Sequence, residues 1–318
     1  MPATVTVRWV ENGELRQGGL ADLASARATS TVWVDVDQPD EETLAVLTAE
    51  FSLHLLAVED CLHFPQRPKI DPYGSMLFLV WSLPRLVEND GIAYAELDVF
   101  LGPGFLITSH RDPVGVLDEV AASAQSIMLR GPEWTLHAIL DRAVDSIFPP
   151  VDYIAEQLDT IEDQLLEDAS REQLHRLYTM KRLLVALHKV IGPERDVVRG
   201  MARQTELISQ EAYLYFQDVG DHLARVADAV DTYRDVASGA MDIYLSAVNN
   251  RMNEIMKQLT VVATIFMPLT LISGIYGMNV TRGMWPPITA VWSFGLVILS
   301  MVVITVGMLW FFRRRQWW

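Results

Sequence analysis

A short polar segment, Gly277-Met278-Asn279, separates two apolar runs near the end of the 318-residue chain. Asn279 offers a neutral carbonyl oxygen, which can accept hydrogen bonds from the water held around a hard cation that dehydrates reluctantly. Gly277 can adopt a positive φ at a helix end, which would let several such oxygens converge. The same residues would also suit a plain helix stop followed by a turn.

The residues before this segment contain a stripe of polar and small side chains. Alternating steps of three and four residues select one helical face, whereas the neighbouring positions are mainly Leu, Ile and Val. The face consists of Asn253, Met256, Thr260, Ala263, Met267, Thr270, Gly274 and Gly277. Such a face should meet water or a symmetry mate, although tight packing between helices would produce the same pattern. Because it carries no carboxylate, we expect a cation to pass along it largely hydrated.

Acidic residues recur every seven positions in the helical region upstream of the apolar runs. The row consists of Asp221, Asp228, Asp235 and Asp242, with Asp218 one helical turn before it. This spacing places the carboxylates on one helical face. We interpret most of them as a solvated surface.

Motifs of common enzymes are missing from the sequence. It contains no Walker loop, nucleophile elbow or dinucleotide fingerprint, and its seven histidines lack the spacing of a zinc site. The sequence therefore predicts that the protein is not an enzyme.

Charge divides the chain into two regions. All 41 Asp and Glu lie at or before Glu254, together with 20 Lys and Arg, whereas only five cations follow Met256. An acidic body of this kind repels nucleic acid and attracts cations. We therefore expect divalent cations as partners and no nucleic acid.

Two uncharged runs are long enough to cross a lipid bilayer. We expect a first span at residues 258–277, an external loop at 278–287, a second span at 288–312 and a basic tail at 313–318. Basic residues favour the cytoplasmic side, so the arginines of the tail predict that both chain ends are cytoplasmic. The sequence thus predicts a multi-pass protein of the cell's inner (plasma) membrane.

The remaining residues predict an α+β membrane protein. Strand-rich segments at 4–10, 31–37 and 76–83, with a hairpin at Gly102-Pro103-Gly104, indicate an α/β domain over residues 1–130. A helical hairpin is expected over 131–192, with its turn near residues 168–170. Gly192-Pro193 should interrupt the helix, and a long stalk helix over 193–257 should continue into the first span.

This order of elements resembles the CorA family of divalent-cation channels, which includes the related ZntB branch. The resemblance covers essentially the whole chain. It rests on "LAVEDCLHFPQRPKI" at 56–70, "YFQDVGDH" at 215–222, "NNRMNEIMKQLTVVATIFMPLTLISGIYGMN" at 249–279 and the terminal "RRRQWW". A lone Gly-Met-Asn would be weak evidence, but its place at the end of a first span in a two-span chain is specific.

The resemblance implies a funnel-shaped homopentamer whose first spans line a central pore. Gly277, Met278 and Asn279 would form a selectivity filter at its outer mouth, with the hydrated ion at Asn279. Family pore-lining residues match Asn253, Met256, Leu259, Met267 and Thr270. Thr260 and Gly274 join this pore-lining set through the periodicity described above. We expect Met256, Leu259 and Met267 to gate the pore.

Asp60 and Asp218 match the family's regulatory pair, which brings together the α/β domain of one subunit and the stalk of its neighbour. Facing carboxylates repel each other unless a divalent cation bridges them. The resemblance therefore implies that this inter-subunit site binds magnesium and reports the cytoplasmic cation level. A simple exposed helix surface is the alternative for Glu59-Asp60.

The transported ion stays open at this point. Magnesium-selective members commonly place acids after the tripeptide, whereas this chain has "VTRGMWPP" with Arg282. The complete Gly-Met-Asn favours magnesium, accompanied by cobalt or nickel, while the ZntB branch implies zinc and proton coupling as the alternative. A second alternative is a membrane-anchored oligomeric scaffold that conducts nothing, for which the polar stripe would have no use.

Overall fold

The computed structural model describes residues 3–28, 31–87, 91–201, 206–278, 286, 291–315 and 317. The chain forms two compact units. The first contains Met1–Gln164 and Ser170–Met241, and the second contains Leu165–Ala169 and Asp242–Trp318.

Seven strands of the first unit form one mixed sheet. They are β1 (Thr4–Glu11), β2 (Glu14–Gly18), β3 (Val32–Asp37), β4 (Lys69–Tyr73), β5 (Met76–Val87), β6 (Gly91–Gly102) and β7 (Phe105–His110), in the order β2-β1-β3-β7-β6-β5-β4. Within the described residues of this sheet, only β3 and β7 pair in parallel. The predicted β6–β7 hairpin is present, and Gly104 at its tip has a φ of 78°, which a residue with a side chain rarely adopts.

Ten α-helices complete the described part of the chain. They are α1 (Leu23–Arg27), α2 (Glu41–Phe51), α3 (Leu55–Leu62), α4 (Gly115–Ala121), α5 (Ala124–Met128), α6 (Pro132–Asp145), α7 (Phe148–Glu167), α8 (Arg171–Met201), α9 (Gln210–Tyr276) and α10 (Val291–Arg314). This order confirms the predicted fold class: an α/β region, a helical hairpin with its turn near residues 168–170, a long helix and a second apolar helix.

Helices cover both faces of the sheet. The apolar residues of α1, α2 and α3 pack on one face, against alternate strand residues such as Val34, Phe78 and Ile107. Helices α4 and α5 pack on α6, which contacts β6 and β7. Because both faces are buried, the central strands read as continuous apolar runs and not as an alternating pattern.

Helix α6 packs on the α/β region although it follows the boundary expected after residue 130. Residues 131–192 were expected to form the helical hairpin, but α6 packs against α4, α5, β6 and β7 of the α/β region. Its buried side chains include Leu136, Ile139 and Leu140. The helical periodicity of α6 was readable from the sequence, whereas the partner of its apolar face was not.

The stalk helix begins later than residue 193. Helix α8 continues through Pro193 to Met201, and α9 starts at Gln210. A proline inside a helix costs about 3 kcal/mol, but Ile191 and Glu194 close to it are buried. Glu194 Oε1 also accepts a hydrogen bond from the Ser82 amide at 3.3 Å. Tertiary contacts therefore hold α8 together where the local sequence favours a break.

The second unit contains the apolar end of α9 and all of α10. Both α9 and α10 contain a segment that is long and apolar enough to cross a membrane. Phe312 of α10 packs against Val261 and Ile265 of α9, with Leu269 and Met308 alongside. A second contact joins Arg251 Nη1 to Asp168 Oδ1 at 2.9 Å.

Candidate functional site

The predicted pore-lining side chains on α9 are open to solvent in the single chain. Exposed positions comprise Asn253, Met256, Leu259, Thr260, Met267, Thr270 and Gly274. Met267 is a large apolar residue in the segment of α9 that is long and apolar enough to cross a membrane, and it is 72% exposed. No described part of the chain therefore covers this face.

Helix α10 occupies the other side of α9. Val261 and Ile265, which contact Phe312 of α10, are only 5% and 9% exposed. An α-helix turns by about 100° per residue, so Met267 and Thr270 point almost opposite to these two residues. The packing of α10 leaves the predicted pore face free.

Two threonine hydroxyls give this face its hydrogen-bonding character. Thr260 Oγ1 donates to the Met256 carbonyl at 2.7 Å, and Thr270 Oγ1 donates to the Phe266 carbonyl at 2.9 Å. A hydroxyl whose hydrogen is used in this way still has oxygen lone pairs that can accept. The face can therefore accept hydrogen bonds from the water shell of a cation.

The end of α9 closes tightly at Gly277. The Gly277 amide donates to the Ser273 carbonyl at 2.8 Å, and the Met278 amide donates to the Ile275 carbonyl at 3.2 Å. The expectation of a positive φ at Gly277 is wrong, because its φ lies outside that region. Instead, a Cβ atom there would lie 3.1 Å from the Ser273 carbonyl oxygen. Glycine therefore suits this position because the Ser273 carbonyl oxygen leaves little room for a side chain.

Asn279 and Arg282 lie outside the described residues. Their roles at the mouth of a pore stay predictions from the sequence.

Asp60 lies near the C-terminal end of α3 and has a partner within its own chain. Lys69 Nζ donates to Asp60 Oδ2 at 2.6 Å, and the same ammonium lies 3.3 Å from Asp71 Oδ2. The side chains of Asp60 and Lys69 are 24% and 31% exposed. One oxygen of the predicted ligand is thus already in contact with a cationic group.

Asp218 belongs to a different cluster. Ligand atoms of Asp141, Asp218 and His222 all lie within 4.8 Å of one another, a spacing that suits a metal ion. His222 Nε2 lies 3.6 Å from Asp218 Oδ2, and its Nδ1 lies 3.8 Å from Asp145 Oδ1. Among the described residues of one chain, Asp60 does not join this three-residue cluster.

Packing between α6 and α9 brings these residues together. The rings of Trp134 and Tyr215 meet edge to face with centroids 4.9 Å apart, and His137 contacts both Tyr215 and Phe216. Burial lowers the pKa of His137 more than the nearby carboxylates of Asp141 and Asp218 raise it. A neutral His137 adds no positive charge to the cluster.

Asp141 and His222 were not predicted from the sequence as neighbours of Asp218. Asp218 and His222 are four residues apart, which places them on one face of a helix, and this spacing was a usable signal. Asp141 lies on another helix, and only the tertiary packing reveals its position.

Further acidic residues are buried close to Asp60. Burial, followed by the charge of Glu96, raises the pKa of Asp98 to about 7. Burial likewise raises the pKa of the Cys61 thiol, which interacts with Asp98 and Ser109. The surroundings of Asp60 therefore contain a buried carboxyl group that is easily kept neutral.

Comparison with known proteins gives a consistent result. A family model described as CorA-like Mg²⁺ transporter protein matches residues 28–314. The cobalt/magnesium transport protein CorA of Thermotoga maritima is 33% identical over 315 residues, which cover 96% of this chain and 89% of that protein.

Solved structures agree with this match. The structure of the CorA magnesium transporter from Methanocaldococcus jannaschii is similar with a TM-score of 0.87 and 26% identity, over 99% of this chain and 98% of that chain. The ZntB cytoplasmic domain from Vibrio parahaemolyticus, with a TM-score of 0.60 and 13% identity over 80% of this chain and 100% of that one, is similar in fold alone. With its family match over most of its length, the chain belongs to the CorA family.

Proposed function

We propose that this protein transports divalent cations, with magnesium as its main substrate and cobalt and nickel as accompanying ones. The observation that carries the proposal is the exposed face of α9, which lies opposite the contact with α10. The family's description and the names of the relatives support magnesium and cobalt as cargo.

The exposed face requires an oligomer. Leu259 and Met267 are 60% and 72% exposed in the single chain, and one helix cannot enclose a water-filled path. Several copies arranged around an axis would turn these faces toward each other, as small and polar faces of membrane helices do. We propose the funnel-shaped homopentamer that the resemblance implies. It would lie in the inner (plasma) membrane with both chain ends in the cytoplasm.

The ion would keep most of its water within this pore. Threonine hydroxyls at 260 and 270, which donate to backbone carbonyls, would accept hydrogen bonds from hydration water through their free lone pairs. The proposed filter at Gly277, Met278 and Asn279 would do the same at the mouth. A fully dehydrated Mg²⁺ would need strong oxygen ligands in near-octahedral geometry. Met256, Leu259 and Met267 would close the path when the pore narrows, because apolar constrictions exclude water.

Regulation would use the carboxylates of the first unit. We propose that a magnesium ion binds at Asp218 with Asp141 and His222, and that Asp60 of a neighbouring subunit completes an inter-subunit site. Carboxylate oxygens are the ligands that Mg²⁺ prefers, and a bridging cation removes their mutual repulsion. Filling of the site would hold subunits together and close the pore.

Limited proteolysis tests this regulatory site. Asp218→Asn should raise the magnesium concentration at which the full-length protein becomes protected, because the bridge loses an anionic ligand. Asp228→Asn, an exposed acid on the same helix, is the matched control. An equal midpoint in wild type and Asp218→Asn would exclude Asp218 from the site.

The substrate is tested by uptake into proteoliposomes loaded with an ion-sensitive dye. Magnesium and zinc are offered separately, each with and without a pH gradient. Saturable magnesium uptake that does not need the gradient supports the proposal. Uptake of zinc alone, driven by the gradient, would replace it with a ZntB-like transporter. Absence of any uptake by intact oligomers would favour the scaffold.

A further inference from the structure

Asp60 is held by a strong contact inside its own subunit. The 2.6 Å separation of Lys69 Nζ and Asp60 Oδ2 is a charge-assisted hydrogen bond. Both side chains are more than two-thirds buried, so solvent screens the pair less than it screens a surface ion pair. The packing of β4 against α3 therefore places the positive charge of Lys69 in direct contact with the Asp60 carboxylate.

The ammonium and a divalent cation require the same oxygen. A lysine side chain is cationic at neutral pH, and Lys69 Nζ contacts carboxylate oxygens of both Asp60 and Asp71. A magnesium ion cannot approach Asp60 Oδ2 closely while Nζ lies 2.6 Å away, since the two positive charges repel. Binding of the ion to that oxygen requires the ammonium to move.

Asp71 offers the displaced ammonium a second partner. Its Oδ2 already lies 3.3 Å from Lys69 Nζ, and the lysine chain is flexible enough to move from one carboxylate toward the other. A shift of this kind would keep the charge of Lys69 paired after it has left Asp60.

We propose that Lys69 is an internal competitor for Asp60, which raises the magnesium concentration at which the inter-subunit site fills, and that Asp71 receives the ammonium when the ion binds. This inference rests on the proposed regulatory site and adds to it a residue that sets its sensitivity. Lys69 itself binds no ion.

The test measures the magnesium midpoint for protease protection of the full-length protein. Lys69→Met keeps the length of the side chain and removes the charge, so the midpoint should fall by about two- to fivefold, the range for one modest ion pair. Lys69→Arg retains a cation and should stay near wild type. Lys189→Met, at an exposed lysine of α8, is the matched control and should leave the midpoint unchanged.

A double-mutant comparison isolates the role of Asp71. Asp71→Asn should raise the midpoint in the wild-type background, because the ammonium then remains on Asp60. It should have a much smaller effect in the Lys69→Met background, where there is no ammonium to receive. Equal shifts in both backgrounds would mean that Asp71 acts through its charge alone and would overturn its proposed role.

The outcomes separate this inference from the proposed function. If magnesium does not protect the wild-type protein from protease, or if Asp60→Asn has the same magnesium midpoint as wild type, the regulatory site itself is refuted. If magnesium protects wild type but the midpoint of Lys69→Met is unchanged, Lys69 has no effect on binding and the competitor role is wrong. A raised midpoint would likewise overturn it, because Lys69 would then help to position Asp60 for the ion. Gel filtration of each variant checks that assembly is intact, and Lys69→Gln provides a second neutral variant.

Discussion

Asp98 lies in an environment unlike that of an ordinary surface carboxylate. It is 5% exposed, and its Oδ1 has no hydrogen-bond partner among the described residues. Burial, followed by the charge of Glu96, raises its pKa to about 7. The folded protein therefore keeps a proton on Asp98 that the unfolded chain releases near the ordinary aspartate pKa of about 3.9.

This difference predicts a pH dependence of stability. Between pH 4 and 7 the folded state binds more protons than the unfolded state, so stability should fall as pH rises, by about 1.4 kcal/mol per pH unit inside the window. Above pH 7 both states are deprotonated and the effect should level off. Asp98→Asn should flatten this slope in melting curves recorded without magnesium. An unchanged slope in Asp98→Asn, equal to that of the exposed control Asp152→Asn, would contradict the assignment.

Residue types and spacing predicted only part of the candidate site. Asp60 and Asp218 could be selected because each lies in a motif, and the structure adds Asp141 and Lys69 through contacts between separate elements. Lys69 follows Asp60 by nine residues, and the end of α3 and an irregular segment at 63–68 lie between them. No local rule pairs such residues.

At the scale of elements, α8 is held on the sheet by a buried carboxyl group. Glu194 is fully buried, and burial raises its pKa well above the usual value, so the group is neutral. Its Oε1 accepts a hydrogen bond from the Ser82 amide on β5. Ser82 lies two residues past Val80, where the pairing of β5 with β4 ends. This contact explains why a helix that the sequence would end at Pro193 continues.

Two substitutions at Glu194 should differ in their effect. Glu194→Gln keeps an oxygen that can accept from Ser82, so its melting temperature should stay near that of wild type. Glu194→Leu leaves the buried amide of Ser82 unpaired, at a cost of about 1–3 kcal/mol, and should melt several degrees lower. Equal melting of Glu194→Gln and Glu194→Leu would show that the hydrogen bond does not stabilise α8.

The face of α9 gives a second prediction at this scale. Cys61, the single cysteine of the chain, is 2% exposed, so wild type serves as a background for thiol labelling. Met267→Cys and Thr270→Cys should react with a charged thiol reagent from water and lose uptake. Val262→Cys lies off the predicted face and should not react. Labelling of Val262→Cys alone would mean that the pore face is assigned wrongly.

At the scale of the whole molecule, the segregation of charge predicts more than any single motif. Acidic residues stop at Glu254, and the apolar segments that follow carry few charges. This pattern was sufficient to predict a large acidic body and two apolar helices, which the structure contains. It could not predict subunit number, because the exposed face of α9 is compatible with several symmetric arrangements. Native mass spectrometry should find about five times the 35.8 kDa subunit mass.

Magnesium uptake by the purified protein in proteoliposomes measures transport through the proposed pore directly. Wild type should fill the vesicles with saturable kinetics, and Asn279→Ala should abolish or strongly reduce uptake, because it removes the proposed acceptor for the hydrated ion. Asn250→Ala, the same change outside the predicted face, should transport normally. We expect loss of uptake only in Asn279→Ala when wild type and both variants have equal oligomer content. Normal uptake by Asn279→Ala would contradict the proposed filter, and no uptake by intact wild-type oligomers would contradict transport itself.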